Sequence, residues 1–148
     1  MKDVPHDGKT TGEVVARAPW LTQGYLDNAE ASDELWDGGY LHTGDVGYIR
    51  ENGSLQITDR LKDVIKTGGE WISSLALENI ASSCSGVEEV AAIGRPNAKW
   101  GERPVLVAQA AKDSNPNRVR LNMMEEIQSR VDAGEISKWA VPDEIIFV

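Results

Sequence analysis

The chain has 148 residues, of which 41% are hydrophobic and 26% charged, and a net charge of −9. That composition fits one folded domain better than a disordered segment or two full domains, and so acidic a chain is a poor general partner for nucleic acid or an anionic membrane. No apolar run approaches the ~20 residues that span a bilayer, residues 1–6 lack the hydrophobic stretch of a signal peptide, and Cys84 is the sole cysteine. The expectation is a cytoplasmic protein, not transmembrane, in a reducing compartment.

Residues 1–11 are polar, contain Pro5 and Gly8, and read as a loop or frayed start. Residues 12–18, with Val14 and Val15 central, predict a strand that Pro19-Trp20 breaks. Residues 28–36 predict a helical turn or two capped at Asp27 or Asn28, and Asp37-Gly38-Gly39 a turn. Residues 46–50 and 54–58 predict a hairpin closed through Asn52-Gly53. Two short strands are predicted over 62–66 and 70–73, with Thr67-Gly68-Gly69 as their turn. Residues 74–84 then place Leu77, Ile80, Ala81 and Cys84 at helical spacing, with Ser73 or Ser74 as cap and Gly86 after the end.

Strands are predicted at 87–94 and 105–111, with a loop between them. Residues 118–131 predict a second helix whose apolar face carries Leu121, Met124, Ile127 and Val131; Met123 and Met124 read as packing residues. Residues 145–148 predict a last strand. The order implies an α+β fold, with a β-rich N-terminal segment followed by a small α+β domain in which two helices cover a small sheet. The boundary falls between Thr58 and Lys62.

Arg60, Lys62 and Lys66 interrupt an acidic stretch in which positions 27–59 carry eight carboxylates and Arg50 alone as a cation. Such a local reversal points to an anionic ligand. From spacing alone the adjacent Gly68 and Gly69 read first as an ordinary hairpin turn, although they also let a backbone approach a thin ligand closely. Cys84 reads as a small core residue, since His6 and His42 are both distant in sequence.

The run Asp59-Arg60-Leu61-Lys62-Asp63-Val64-Ile65-Lys66-Thr67-Gly68-Gly69-Glu70-Trp71-Ile72-Ser73-Ser74 closely resembles the hinge motif of adenylate-forming enzymes, in its fatty acyl-CoA synthetase version. Gly39-Tyr40-Leu41-His42-Thr43-Gly44-Asp45 is similar to that superfamily's ribose-binding segment. Ala98-Lys99-Trp100-Gly101-Glu102-Arg103-Pro104-Val105 resembles its small-domain loop, and Lys138-Trp139-Ala140-Val141-Pro142 the start of its last segment.

The resemblance implies that residues 1–60 end a large N-terminal adenylation domain and that 61–148 form most of a small mobile C-terminal one. It implies a C-terminal part of an enzyme that joins a fatty acid to ATP as an acyl-adenylate and then transfers the acyl group to CoA. Asp45 and Arg60 would bind nucleotide, Lys62 would be the hinge, and Lys66 would be the catalytic candidate of the second half. Gly68, Gly69, Glu70 and Trp71 would lie near CoA and adenylate. Trp71 would shield the adenylate from water, its alternative being a core Trp of the hairpin. Arg95, Lys99 and Arg103 are candidates for the phosphates of CoA on charge alone, and His42, where the family often has Arg, is given no proton-transfer role.

ATP or AMP and CoA are thus expected as substrates. Mg2+ belongs to the whole enzyme, with no metal ligand in this chain. The family's phosphate loop, its Glu-containing magnesium motif and its terminal Lys segment have no match here, so the remainder of the large domain is an expected partner and the chain alone is expected to form no adenylate. A luciferase or a peptide-synthetase adenylation domain are the alternatives within the superfamily. Outside it the alternative is a non-catalytic binding or dimerisation module, and a homo-oligomer is compatible with either reading.

Overall fold

A computed structural model describes residues 2–148, and the chain divides into two units after Lys62. Met1, in the segment expected to open the chain as a loop, lies outside the described residues.

The first unit is a three-stranded antiparallel sheet in the order β1-β2-β3, formed by β1 Gly12–Ala16, β2 Leu41–Ile49 and β3 Leu55–Arg60. Asn52-Gly53 closes the predicted hairpin: Gly53 takes φ 82° and the Asn52 side chain accepts from the Ser54 N–H at 3.0 Å. β2 begins five residues before the expected start at 46. Its early half holds Gly44 and little β-branched character, and it is extended because β1 lies opposite, pairing Val15 with His42 and Ala16 with Leu41. Helix α1, Ala29–Leu35, is capped by Asn28, whose side chain accepts from the Ala31 N–H.

The opening loop is tied down. Gly8 donates its N–H to the Ile49 carbonyl at 3.0 Å. The Asp7 carboxylate accepts the Thr10 hydroxyl and the N–H groups of Thr10 and Lys9, and these bonds, the hydroxyl foremost, bring its pKa down to about 2.

The second unit is built on β7, Gly101–Ala110. Along one side runs β6, Val87–Asn97, antiparallel over its whole length. On the other side Thr67 of β4, Ile65–Thr67, pairs with Gly101, and β8, Glu144–Phe147, runs parallel to Val105–Ala108. β5, Glu70–Ile72, completes the hairpin with β4. Helix α2, Ser74–Ser82, is capped by Ser73, and α3, Pro116–Asp132, starts with Pro116 behind the Asn115 cap. Their apolar faces meet the sheet in a core of Ile65, Ile72, Leu77, Ala81, Leu106, Met123, Ile127 and Ile145. Glu78 of α2 accepts the Ala92 N–H of β6 at 2.9 Å, which occupies part of that edge. Two helices covering one small sheet match the expected α+β class.

Three local expectations shift. Residues 62–64 are turn rather than strand, and β4 starts only at Ile65, so Lys62 sits exposed in the connection after β3. The loop between β6 and β7 shrinks to Ala98-Lys99-Trp100, because the Asn97 side chain accepts the N–H groups of both Lys99 and Trp100 and Gly101 takes φ 84°. In α3 the buried stripe is Val119, Met123 and Ile127, whereas Leu121 is 62% exposed. Valine and Met123 fill an i, i+4, i+8 row that the expected Leu121, Met124, Ile127, Val131 pattern crosses at Ile127 alone.

Candidate functional site

In the first unit, β2 and β3 carry a paired carboxylate and guanidinium. Asp45 and Arg60 are directly opposite in register, and the Arg60 guanidinium donates to Asp45 Oδ1. Asp45 is placed by its neighbours. Gly44 takes φ 70°, its carbonyl accepts the Leu61 N–H at 2.8 Å, and the Thr43 hydroxyl accepts the Asp45 N–H while donating to the Val14 carbonyl. The Arg60 N–H is held by Asp59 Oδ1 at 2.8 Å, and Asp59 itself is buried. Arg60 is the more open of the pair, with its side chain 57% exposed against 22% for Asp45. An exposed cation beside a half-buried carboxylate can meet a ligand that bears both hydroxyls and negative charge.

His42 lies on the same strand, with Nδ1 2.8 Å from a Glu13 carboxylate oxygen and Nε2 3.1 Å from the Asp37 carbonyl. Both ring nitrogens thus face acceptors, which suits the imidazolium. The Glu13 hydrogen bond raises its pKa above the usual histidine value against the opposing effect of partial burial. The residue ties β1 to β2.

In the second unit the Gly68-Gly69 turn joins β4 to β5, with φ of 59° and 83°, and both residues are exposed. Its root is fastened at three points. The Gly68 N–H donates to the Trp100 carbonyl at 3.0 Å, the Lys66 N–H donates to a Glu102 carboxylate oxygen at 2.8 Å, and the Thr67 side chain is fully buried. The indoles of Trp100 and Trp139 lie 4.7 Å apart and tilted by 56°, and Trp139 backs directly onto Gly68.

Cations accompany each indole. Lys99 is 4.6 Å from the Trp100 ring centre, Lys138 and Arg103 are each 5.7 Å from Trp139, and Lys66 is 6.0 Å from Trp71. Trp71 is 38% exposed, so it is not the core residue of its hairpin. Glu70 is exposed on β5 beside it. A bare backbone tip bordered by indoles and ammonium groups offers a narrow path and a binding surface for an anion with a flat ring.

Of the three cations expected for phosphate on charge, Lys99 and Arg95 are exposed and Arg103 is largely buried. Arg95 pairs with Glu144 at 2.6 Å, and Arg103 is directed inward at Asp143 and backbone carbonyls. Trp139, Trp100 and Glu102 were not singled out as site residues by sequence, although the dipeptides Lys99-Trp100 and Lys138-Trp139 repeat a cation beside an indole. Among the described residues no cluster of three or more His, Cys, Asp or Glu could hold a metal ion, and no helix is long and apolar enough to cross a membrane.

Residues 76–148 match the family described as AMP-binding enzyme C-terminal domain. Over 146 residues the chain is 42% identical to a 3-methylmercaptopropionyl-CoA ligase of Ruegeria lacuscaerulensis, covering 99% of this chain and 25% of that protein. It is also 42% identical over 147 residues to a long-chain-fatty-acid–CoA ligase of Thermus thermophilus, covering 99% of this chain and 26% of the relative. The ATP-bound structure of MatB from Rhodopseudomonas palustris superposes with a TM-score of 0.74 at 29% identity, over 99% of this chain and 28% of MatB. The chain therefore spans about a quarter of the length of the curated relatives it matches. Its hinge-like run, its ribose-like segment and these likenesses agree: the chain belongs to the adenylate-forming superfamily, in its acyl-CoA synthetase branch, and contains the C-terminal domain of that family.

Proposed function

We propose that the chain works as the C-terminal part of an AMP-forming carboxylic acid–CoA ligase acting on fatty acids. The observation that carries this reading is the exposed Gly68-Gly69 tip, at positive φ and bordered by Trp100, Trp139, Lys66, Lys99 and Lys138. CoA combines a thin pantetheine arm with an anionic nucleotide, and those two features call for a narrow Cβ-free path and a cationic aromatic margin. The relatives named for long-chain and medium-chain fatty acids support the acid class.

The reaction has two halves. In the first, the acid's carboxylate attacks the α-phosphorus of ATP, giving acyl-AMP and pyrophosphate. In the second, the CoA sulfur attacks the acyl carbon and AMP departs with the carboxylate oxygen. Asp45 accepts the ribose hydroxyls, each hydrogen bond to the charged group contributing about 1.5–3 kcal/mol, and Arg60 faces the phosphate. MatB, with ATP in its structure, supports the nucleotide assignment.

Lys62, exposed in the turn after β3, is the hinge whose backbone dihedrals change between the two halves. Residues 1–60 then belong to the end of the large domain and 61–148 to the small mobile one. Gly68 and Gly69 pass beside pantetheine. Lys66 supplies positive charge for the second half, and Glu70 and Trp71 border the adenylate, with Trp71 excluding water from the mixed anhydride. Mg2+ would accompany ATP in the whole enzyme; the acidic residues described here do not form a site for it, and no step is assigned through it. The partner is the remainder of the large domain.

Isothermal titration of the 148-residue chain with CoA and with AMP tests the reading. Measurable affinity for both, with no pyrophosphate released from ATP and fatty acid, is the expected result. No affinity for either ligand would favour a non-catalytic interaction module.

A further inference from the structure

We propose that Arg103 is a positioning residue for the CoA-facing surface, which it serves by holding Trp139 against Gly68. This rests on the functional reading above. Arg103 lies on β7 with its side chain only 12% exposed. Its Nε donates to Asp143 Oδ1 at 2.8 Å, one terminal nitrogen donates to the Trp139 carbonyl at 3.1 Å and the Thr67 hydroxyl at 3.3 Å, and the other donates to the Val141 carbonyl at 2.9 Å. The fork thus grips the chain at Trp139 and again just after it, at Val141 and Asp143, and, through Thr67, the strand that leads into the glycine turn.

Charge pairing and fork geometry together fix the arrangement, and the geometry is what selects arginine. Arg95 stands opposite Arg103 in the β6–β7 register, and the two guanidiniums would repel if unpaired. Consecutive acids separate them, Asp143 taking Arg103 and Glu144 taking Arg95. A lysine at 103 keeps the charge but not the planar fork that reaches four acceptors in three directions. With the fork removed, the Trp139 and Val141 carbonyls lose their donor. The turn carrying the indole is then free to leave Gly68, and the margin of the pantetheine path is no longer fixed.

The test uses the whole chain as wild type, R103M and R103K. Three quantities are read: the circular-dichroism couplet from the Trp100–Trp139 indole pair, the CoA affinity and the AMP affinity. R103M is expected to lose the couplet and about tenfold in CoA affinity, with AMP affinity unchanged because Asp45 and Arg60 lie in the other unit. R103K is expected to recover part of both losses. An R103M protein that keeps the couplet and binds CoA normally overturns the proposal, and so does an equal loss for CoA and AMP, which would mark general destabilisation. If the wild-type chain binds no CoA, the functional reading fails, while the couplet still decides whether Arg103 places Trp139. If R103M fails to fold, the R103K comparison decides in its stead.

Discussion

The Trp139 ring lies 2.8 Å from the point that a Cβ on Gly68 would occupy, whereas a Cβ on the neighbouring Gly69 would meet nothing within 4 Å. Both glycines adopt φ values that cost an L side chain about 1–2 kcal/mol. Only Gly68 adds a collision with a rigid ring, so Gly68→Ala should destabilise the second unit by roughly 2–4 kcal/mol. Gly69→Ala should cost about 1–2 kcal/mol yet still lower CoA affinity, because its Cβ projects into the proposed path. Urea titrations followed by near-ultraviolet circular dichroism would show the difference, and equal costs would mean that Trp139 does not constrain position 68.

His42 should make the first unit less stable as pH rises. Its folded-state pKa is raised above the ordinary value by the Glu13 hydrogen bond. A group with a raised folded pKa contributes stability that is fully present below its unfolded pKa of about 6.5 and lost as pH climbs through the folded value. Wild type should therefore lose more stability than H42Q does as pH rises from the unfolded value through the raised folded one. E13Q should show the same flattened profile as H42Q. Parallel profiles for all three proteins would show that the pair contributes nothing.

The third helix offers a test of phase. Met123→Ala should cost about 2–5 kcal/mol, as expected for a core methionine, since Met123 is fully buried. Leu121→Ala should fall within about 0.5 kcal/mol of wild type, its side chain being largely in water. Thermal unfolding of the two variants settles which stripe faces the sheet, and a larger shift for Leu121→Ala would rule out the face described here.

How far the sequence could be read depended on whether the deciding force was local. Asn52-Gly53, the Ser73 cap and the Gly68-Gly69 turn are set by φ preference and short side-chain bonds, and they fall where the residues place them. Residues 41–45 are strand because β1 supplies partners from a distant segment, and nothing within Leu41-His42-Thr43-Gly44-Asp45 favours that conformation on its own. The stripe of α3 was ambiguous because Val119, Leu121, Met123 and Met124 support two phases, and only packing against the sheet chooses between them. Among site residues, Asp45, Arg60 and the glycines were visible as motif letters. Trp139 and Arg103 also stood among motif letters, but their contact with the glycine turn was not legible, because it is made across 36 or more positions of sequence.

Asp45 and Arg60 separate a binding role from a structural one. As a partly exposed cross-strand ion pair they should contribute at most about 1 kcal/mol to stability, since solvent reaches the Arg60 guanidinium and screens the charges. As ribose ligand, Asp45 would contribute about 1.5–3 kcal/mol for each hydrogen bond it accepts, so Asp45→Ala should weaken AMP binding by roughly tenfold to a hundredfold for each ribose hydrogen bond lost. Asp45→Asn should fall between, keeping an acceptor oxygen but not the charge. Calorimetric titration with AMP and urea unfolding of the same preparations give the two numbers to compare. A variant that loses more stability than affinity would place Asp45 in the sheet's own cohesion and remove it from the nucleotide site.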